Sequence, residues 1–495
     1  MNRIIRFAMG FVLLVPAMLN GQSGFSASRT LSLENCIQAA QSLSPEATIA
    51  RKRLESVYWS YKAFRAGLLP QLQLDVNGPG LVRSISQITQ PDGTLVFAPQ
   101  NQAFSSASLS LSQQIVPTGG TIFLQSGLNR LDVFGGNGYS QYQSRPVLIG
   151  LQQPLFRFNE LRWGKKIQPL RYQIAEKSYL EELEDIAITI SGQFFDVYLA
   201  QMTLENTRRN LAVNDSIYMI SKGRFNVGRI AENDLLQTEL AFLNVQAQVK
   251  QAETDLLKAE TNLRISLGLP DTTELQILPP PDLPWMEVDP LFALAQASLN
   301  RSDYVDYQVR EAEANANLTR TQRENRFSAN LSATFGLNQS GNTVTEAYSQ
   351  PLEQQMATFG VGVPILQWGR AHAQIESAKV EQIRVQEQIK LEKRRLERDI
   401  RFQVMDFQQM QSQLKLAAKA DTIAQRRYEV AKNRYLIGKI DITNLQIAQT
   451  EQSSARQSYI LALRQYWLAY FQLRRSTLYD FMRQERLSAP GLEDQ

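Results

Sequence analysis

The chain has 495 residues, 43% hydrophobic and 20% charged, which excludes a disordered or collagen-like polymer and provides for roughly two or three domains. Lys plus Arg number 52 against 48 Asp plus Glu, too even a balance to argue for nucleic acid or a polybasic membrane surface. A single Cys (Cys36) and a single His (His372) exclude a disulfide framework and a Cys/His zinc cluster, and weaken Ser-His-Asp and Cys-His catalysis.

Residues 1–22 read as a secretory signal: Arg3 and Arg6 precede an apolar run from Phe7 to Leu19, and small or polar residues (Asn20, Gly21, Gln22, Ser23) follow. The competing reading is a retained anchor, for which the run is short of the ~20 residues of a spanning helix. No later segment approaches 18 consecutive apolar residues, so a mature form held in a bacterial membrane has to cross it as a β-barrel.

A first repeat, 23–270, opens with a helical pattern at about 31–68, where Leu33, Cys36, Ile37 and Ala40 share a face. Strands are expected within about 70–156, at Leu72–Val76 and Val147–Leu151. An additional hairpin is suggested by Ser108–Ser112 and Thr121–Gln125 around the turn sequence Pro117-Thr-Gly-Gly120. A chain that leaves the periplasm and returns crosses an even number of times, which allows two strands here or four. A long helix hairpin at 160–268 follows, turning at Gly228. Pro279, Pro280, Pro281 and Pro284 mark 271–289 as a stiff connector.

The second repeat, 290–481, takes the same order: a short helix at about 290–326, strands at about 328–365, and a helix hairpin at 369–481 turning at Gly438. Residues 482–495 form a C-terminal tail. The repeat is legible in Lys222-Gly-Arg-Phe-Asn-Val-Gly228-Arg-Ile, which recurs as Lys432-Asn-Arg-Tyr-Leu-Ile-Gly438-Lys-Ile, each pair 210 positions apart, as are Pro154 and Pro364. The apolar seam Leu396, Ile400, Val404, Phe407, Met410 and Leu414 averages 3.6 residues per step, and Ile186, Ile190, Phe194, Val197, Ala200 and Leu204 stand at the matching positions. Helices of roughly 90 to 100 Å require a coiled-coil-like array.

Ahead of the second long helix the period changes to 2. Leu331, Ala333, Phe335 and Leu337 alternate with Asn330, Ser332, Thr334 and Gly336, and Phe359, Val361 and Val363 alternate with Thr358, Gly360 and Gly362. A transmembrane wall around a wet lumen and a one-sided soluble sheet both give this alternation; the signal sequence favours the wall. Four or six strands cannot close a barrel, for which about eight is a practical minimum. Several protomers must therefore contribute, and a trimer gives 12 strands, or 18 if the additional hairpin joins the wall.

Taken together and in order, five segments resemble the TolC-like outer-membrane efflux family over nearly all of the mature chain. They are Leu31-Ser-Leu-Glu-Asn-Cys-Ile-Gln-Ala-Ala40 with Ser44-Pro45-Glu46; Arg65-Ala-Gly-Leu-Leu-Pro70; Gln153-Pro154-Leu-Phe with its partner Val363-Pro364-Ile-Leu and Trp368-Gly-Arg370; Arg224-Phe-Asn-Val-Gly228 with Asn233-Asp234-Leu-Leu-Gln-Thr; and Leu267-Gly-Leu-Pro270. The resemblance implies an α+β fold: a homotrimer whose protomers each give four strands to a 12-stranded outer-membrane β-barrel, continuous with a long periplasmic α-helical barrel. It further implies a passive exit duct for efflux or type I secretion that docks a periplasmic adaptor and, through it, an inner-membrane transporter. It implies contact with outer-membrane lipid, no nucleic acid, no enzyme activity and no cofactor. A trimeric adhesive coiled coil on the cell surface and a periplasmic hydrolase are the competing classes.

By the same resemblance, Arg224, Phe225, Gly228, Arg434, Tyr435 and Gly438 belong to helix-hairpin tips that meet the adaptor. Asp234, Tyr435 and Asn444 are the expected aperture latch: Asp234 matches a linking aspartate of the closed aperture, and Tyr435 the tyrosine it can meet. This chain departs from the family at its basic link, which is Ile440, and at its acidic ring, which is Asn444 and Ile447. Lys439, Asp441 and Arg229 are placed to rebuild a charged latch or to stand solvated at the tips. His372 reads as a solvated helix residue, Cys36 as a buried small residue, and Lys390–Arg401 as an ion-paired helix surface.

Overall fold

The structure is a computed structural model and describes residues 29–136, 138–270, 275–278, 285–437 and 439–488. The expected leader at 1–22, much of the proline connector, Gly438 and the tail beyond 488 lie outside the described residues.

In chain order, β1 (Arg29–Leu31) leads to α1 (Leu33–Leu43) and α2 (Pro45–Gly67), then to β2 (Gln71–Thr89), β3 (Leu95–Ile115), β4 (Gly120–Val133) and β5 (Tyr139–Leu155). The long hairpin α3 (Glu160–Asn226) and α4 (Glu232–Leu267) follows, then β6 (Leu275–Ile277). The second half comprises α5 (Pro290–Asn300), α6 (Ser302–Glu324), β7 (Ser328–Gly341), the short α7 (Val344–Tyr348), β8 (Leu352–Gly362), α8 (Arg370–Leu436) and α9 (Ile442–Thr477). A small pair, β9 (Tyr479–Asp480) and β10 (Glu485–Arg486), closes the described chain and carries structure into the segment expected to be only a tail.

The duplication is quantitative. α3 and α8 both have 67 residues, α4 and α9 both have 36, and each pair stands 210 positions apart. The short helices also match, α1 with α5 at 11 residues and α2 with α6 at 23, but at a spacing of 257. The excess therefore lies between α2 and α3, where β3 and β4 stand as an inserted hairpin.

Each expected short helix is two. Ser44 ends α1 and starts α2, because Pro45 has no N–H to continue the ladder but suits a first helical turn, and Ser44 Oγ accepts from Ala47 N at 3.0 Å. In the second repeat that cap comes from elsewhere. Glu181, buried on α3, accepts from Ser302 N (3.0 Å) and Ser302 Oγ (2.8 Å). α3 runs through Pro169, which removes one ladder donor without ending the helix.

All six long strands form one antiparallel sheet in the order β2-β3-β4-β5-β7-β8. The four strands per protomer implied by the resemblance are thus corrected to six, because the inserted hairpin pairs on both flanks, β3 with β2 and β4 with β5. Below the sheet the helices pack side by side in the order α4, α3, α9, α8. The two predicted seams converge: Ile190, Phe194, Val197, Ile400, Val404 and Phe407 are all buried in one core with Ile460, Tyr466, Tyr470 and Leu473 of α9. β1 pairs in parallel with β6 beside this core. Gln201 Nε2 donates to Leu275 O (3.1 Å) and Gln411 Nε2, 210 positions on, donates to Met286 O (2.8 Å), so duplicated glutamines hold the chain at equivalent places.

Candidate conduit wall and periplasmic aperture

Alternation gives the sheet two unlike faces. Leu72, Leu111, Leu124, Ile149 and Phe335 stand opposite one another across five strands on one face. One residue along, the other face reads Gln73, Ser110, Gln125, Leu148, Gly336 and Gln354. The apolar row is exposed, Leu72 at 67% and Phe335 at 54%, which a soluble sheet does not tolerate and a bilayer requires. Each strand has at least 11 residues, enough to cross. On the polar face Gly150 lies under the Phe123 ring, which a side chain there would strike.

The helix tips carry duplicated turns. Gly228 adopts φ +69°, and Arg229 N donates to Arg224 O at 2.9 Å. At the second tip Lys439 N donates to Arg434 O, also at 2.9 Å. Satisfying the last helical carbonyls in this way calls for a left-handed residue, which glycine supplies without a Cβ clash. The expected partner, Gly438, lies outside the described residues.

Beyond these turns the tips differ. Phe225 is exposed, whereas Tyr435 is buried at 7% against Ile217 of α3 and Leu445 of α9, with Ile440 and Ile442 packed around them. Tyr435 is drawn in because α3 flanks α9, while the first tip lies at the free edge of the layer. Asp234 is exposed in the first turn of α4, and Arg434 is exposed. Asp441 caps α9, its Oδ1 accepting from Asn444 N and Asn444 Nδ2, both at 2.8 Å. Asn444 is therefore engaged within its own helix start, and Asp441 has a local partner instead of a free latch position.

His372 is exposed on α8, and among the described residues no group of His, Cys, Asp or Glu is suited to a metal. Cys36 is fully buried, and burial pushes its thiol up to about 12. The Lys390–Arg401 surface is ion-paired in part: Lys390 with Glu387 at 2.7 Å, Arg398 with Asp399 at 2.6 Å, and Glu392 with Arg310 of α6.

Sequence reasoning missed a buried ionic cluster at the top of α9. Arg474 holds Glu184 through Nε (2.6 Å) and Nη2 (2.7 Å) and reaches Asp480 at 3.2 Å; Tyr470 OH donates to Asp480 Oδ1 at 2.6 Å. Asp480 also accepts from Met482 N and Arg483 N, anchoring the turn between β9 and β10. Burial raises the Glu184 carboxyl above its ordinary value, although Arg474 opposes that shift. The only available signal was a pair of arginines closing an otherwise apolar helix end.

A family model of outer membrane efflux proteins matches residues 36–269 and 294–477, most of the chain. The chain belongs to the outer membrane efflux protein family. Its place is accordingly the outer membrane, with the helices extending into the periplasm. Among solved structures, the fold of this efflux-family protein is similar to the CmeC outer membrane channel of Campylobacter jejuni (TM-score 0.63, 13% identity, 90% of this chain and 85% of that one). It is likewise similar to the outer membrane protein VceC of Vibrio cholerae (0.63, 14%, 90% and 95%) and to the open state of the MtrE channel of Neisseria gonorrhoeae (0.60, 16%, 90% and 88%). Two curated relatives match shorter stretches: an uncharacterized protein of Haemophilus influenzae, 27% identical over 112 residues, and the toxin and drug export protein A of Aggregatibacter actinomycetemcomitans, 21% identical over 120. The matched stretch of the chain spans about a quarter of the length of each.

Proposed function

We propose that three copies of this efflux-family protein form a passive exit duct through the outer membrane, fed by a periplasmic adaptor and an inner-membrane transporter. The observation that carries the reading is that both layers of one protomer end in complementary free edges. The sheet stops at β2 and β8, each with one edge left unpaired, and six strands are too few to close. The helical layer stops at α4 and α8, and each carries an exposed apolar stripe that begins at the same distance from its tip. On α4 these are Leu236, Leu240 and Leu243; on α8, Leu416, Ile423 and Val430 step by seven.

Joining β8 of one copy to β2 of the next, and α8 to α4, satisfies both layers with one rotation, as a closed ring requires. Three copies of six strands give an 18-stranded wall, wide enough for a water-filled lumen lined mainly by Gln and Ser side chains and glycine backbone, with Leu148 among them. Such a lining has little chemical preference, so selection of the cargo falls to the transporter. At the first tip the exposed Phe225 and Gly228 with the half-buried Arg224, and at the second the exposed Arg434, are the adaptor-facing surface. Asp234 and Tyr435 belong to the closed-state latch, with Asn444 stiffening the α9 start beside it.

The test is purification from outer membranes, gel migration with and without heating, and planar-bilayer recording. A heat-sensitive trimer that conducts ions supports the duct; a soluble, monodisperse monomer in detergent-free buffer overturns it.

A further inference from the structure

Three positive side chains, Arg162, Lys165 and Lys166, stand exposed on the first turns of α3, and none has a carboxylate partner among the described residues. The acid nearest in sequence, Glu160, is engaged by Arg320 at 3.3 Å. These three side chains, with Val116 and Pro117 from the turn between β3 and β4, line a groove of about 400 Å³. The turn is fixed over the helix by Asn159, whose Nδ2 donates to Val116 O (2.8 Å) and Pro117 O (3.2 Å) while its Oδ1 caps α3 through Arg162 N (3.0 Å).

The direction in which the groove faces follows from the packing of α3. Trp163, Ile167 and Leu170 lie against α6, and Gly164 and Tyr172 lie toward Phe64 and Tyr61 of α2. At 100° per residue those contacts occupy one half of the helix, and Arg162, Lys165 and Lys166 occupy the other. Both flanking helices belong to the same chain, so a neighbouring copy does not cover this half. In a tube, the two neighbours of each stave lie toward the axis, which leaves the cationic half on the outer side. Directly above it, at Ile115, Val116 and Pro117, the lipid-facing strands end.

We infer that this groove is a headgroup site for an anionic phospholipid of the periplasmic leaflet, its phosphate held by Arg162, Lys165 and Lys166 and its glycerol end against Val116 and Pro117. Charge complementarity and continuity with the apolar wall both favour a lipid: acyl chains on β3 and β4 bring a phosphate to the height of the first turns of α3. Arg162 offers a forked donor and the two lysines add point charges. The inserted hairpin creates the site, since its turn supplies the apolar wall of the groove.

The inference rests on the tubular trimer proposed above. The test uses trimer in nanodiscs of phosphatidylcholine or of phosphatidylcholine with phosphatidylglycerol, followed by native mass spectrometry of the lipids retained after extraction. Wild type is expected to retain phosphatidylglycerol in preference, and to lose that preference as salt rises. Each of R162Q, K165Q and K166Q should lower the preference about fivefold, from roughly 1 kcal/mol per cation at an anionic surface. Inorganic phosphate at millimolar concentration should not displace the lipid. Equal retention of the two lipids by wild type, unchanged preference in the triple variant, or displacement by phosphate each overturns the site. Salt dependence of wild type alone decides the matter if a variant does not assemble. Failure of wild type to form a trimer removes the tube instead, whereas an intact trimer without lipid preference removes only this site.

Discussion

Arg474 and Glu184, 290 positions apart, meet in two parallel hydrogen bonds of 2.6 and 2.7 Å, and join the last turn of α9 to the middle of α3. Glu184 is buried at 3% and the Arg474 side chain is only 15% exposed, so the pair ties the second repeat to the first where water competes little with the carboxylate's partner. Arg474→Met should therefore cost about 3 to 5 kcal/mol by leaving buried carboxylates unpaired. The double variant Arg474→Met with Glu184→Gln should cost less than the sum of its parts. Thermal unfolding in detergent checks both, and additive costs would show that the pair is not coupled.

Asp480 supplies a pH dependence. Burial alone would raise its carboxyl, but the hydrogen bond from Tyr470, the Arg483 and Met482 amides and the Arg474 charge together hold it below its ordinary 3.8. A carboxyl depressed in the folded state adds stability that is complete above its unfolded value and is lost as pH falls through the folded one. The difference in melting temperature between wild type and Asp480→Asn should thus be level from about pH 7 to about 5 and shrink below 3.8. A gap that persists at the acid end would contradict the assignment.

Gly228 has open space where a Cβ would stand, so only its φ of +69° limits replacement. Gly228→Ala should cost about 1 to 2 kcal/mol locally, Gly228→Asn less and Gly228→Val more. Hydrogen exchange at 224–232 should rise in that order of cost and export should weaken, while the trimer migrates as wild type. Undiminished export by the Val variant would argue against a role for this tip.

The latch is tested by removing its polar atoms without emptying its packing. Tyr435→Phe keeps the ring between Ile217 and Leu445, and Asp234→Ala removes an exposed carboxylate. Single exposed links contribute only about 0.2 to 1 kcal/mol, so the double variant is the informative one. Its single-channel conductance should exceed that of wild type; equal conductance would reject the latch.

Above the wall, β2 and β3 continue as a two-stranded ribbon. β4 ends at Val133 opposite Gln102, and only Arg83–Thr89 and Leu95–Asn101 pair beyond it. Shortening the ribbon by replacing 84–100 with a tight turn should leave the trimer assembled and its stability within about 0.5 kcal/mol, since no other strand pairs there. Loss of the heat-sensitive trimer would show instead that the ribbon takes part in assembly.

How much of this was legible in the sequence depended on whether the signal was local. The 210-residue repeat, the seams through Phe194 and Phe407, the left-handed Gly228 and the burial of Cys36 all follow from periodicity or from one residue's conformational limits. So does the two-faced wall, because a period of 2 fixes which side chains share a face. The inserted hairpin was visible as two strands around Pro117–Gly120, but its membership of the wall was not. That depended on hydrogen bonds from β3 to β2 and from β4 to β5, and pairing partners leave no mark in either strand alone. The same limit hid the clasp of Arg474 on Glu184 and the cap that Glu181 lends to Ser302, each made by residues more than a hundred positions apart. Tyr435 and Phe225 occupy equivalent places in the repeat, yet one is buried and the other exposed, because α9 has α3 beside it and α4 ends the layer. An even balance of charge concealed the cationic half of α3, since composition averages over a surface that only the packing of α2 and α6 divides into faces.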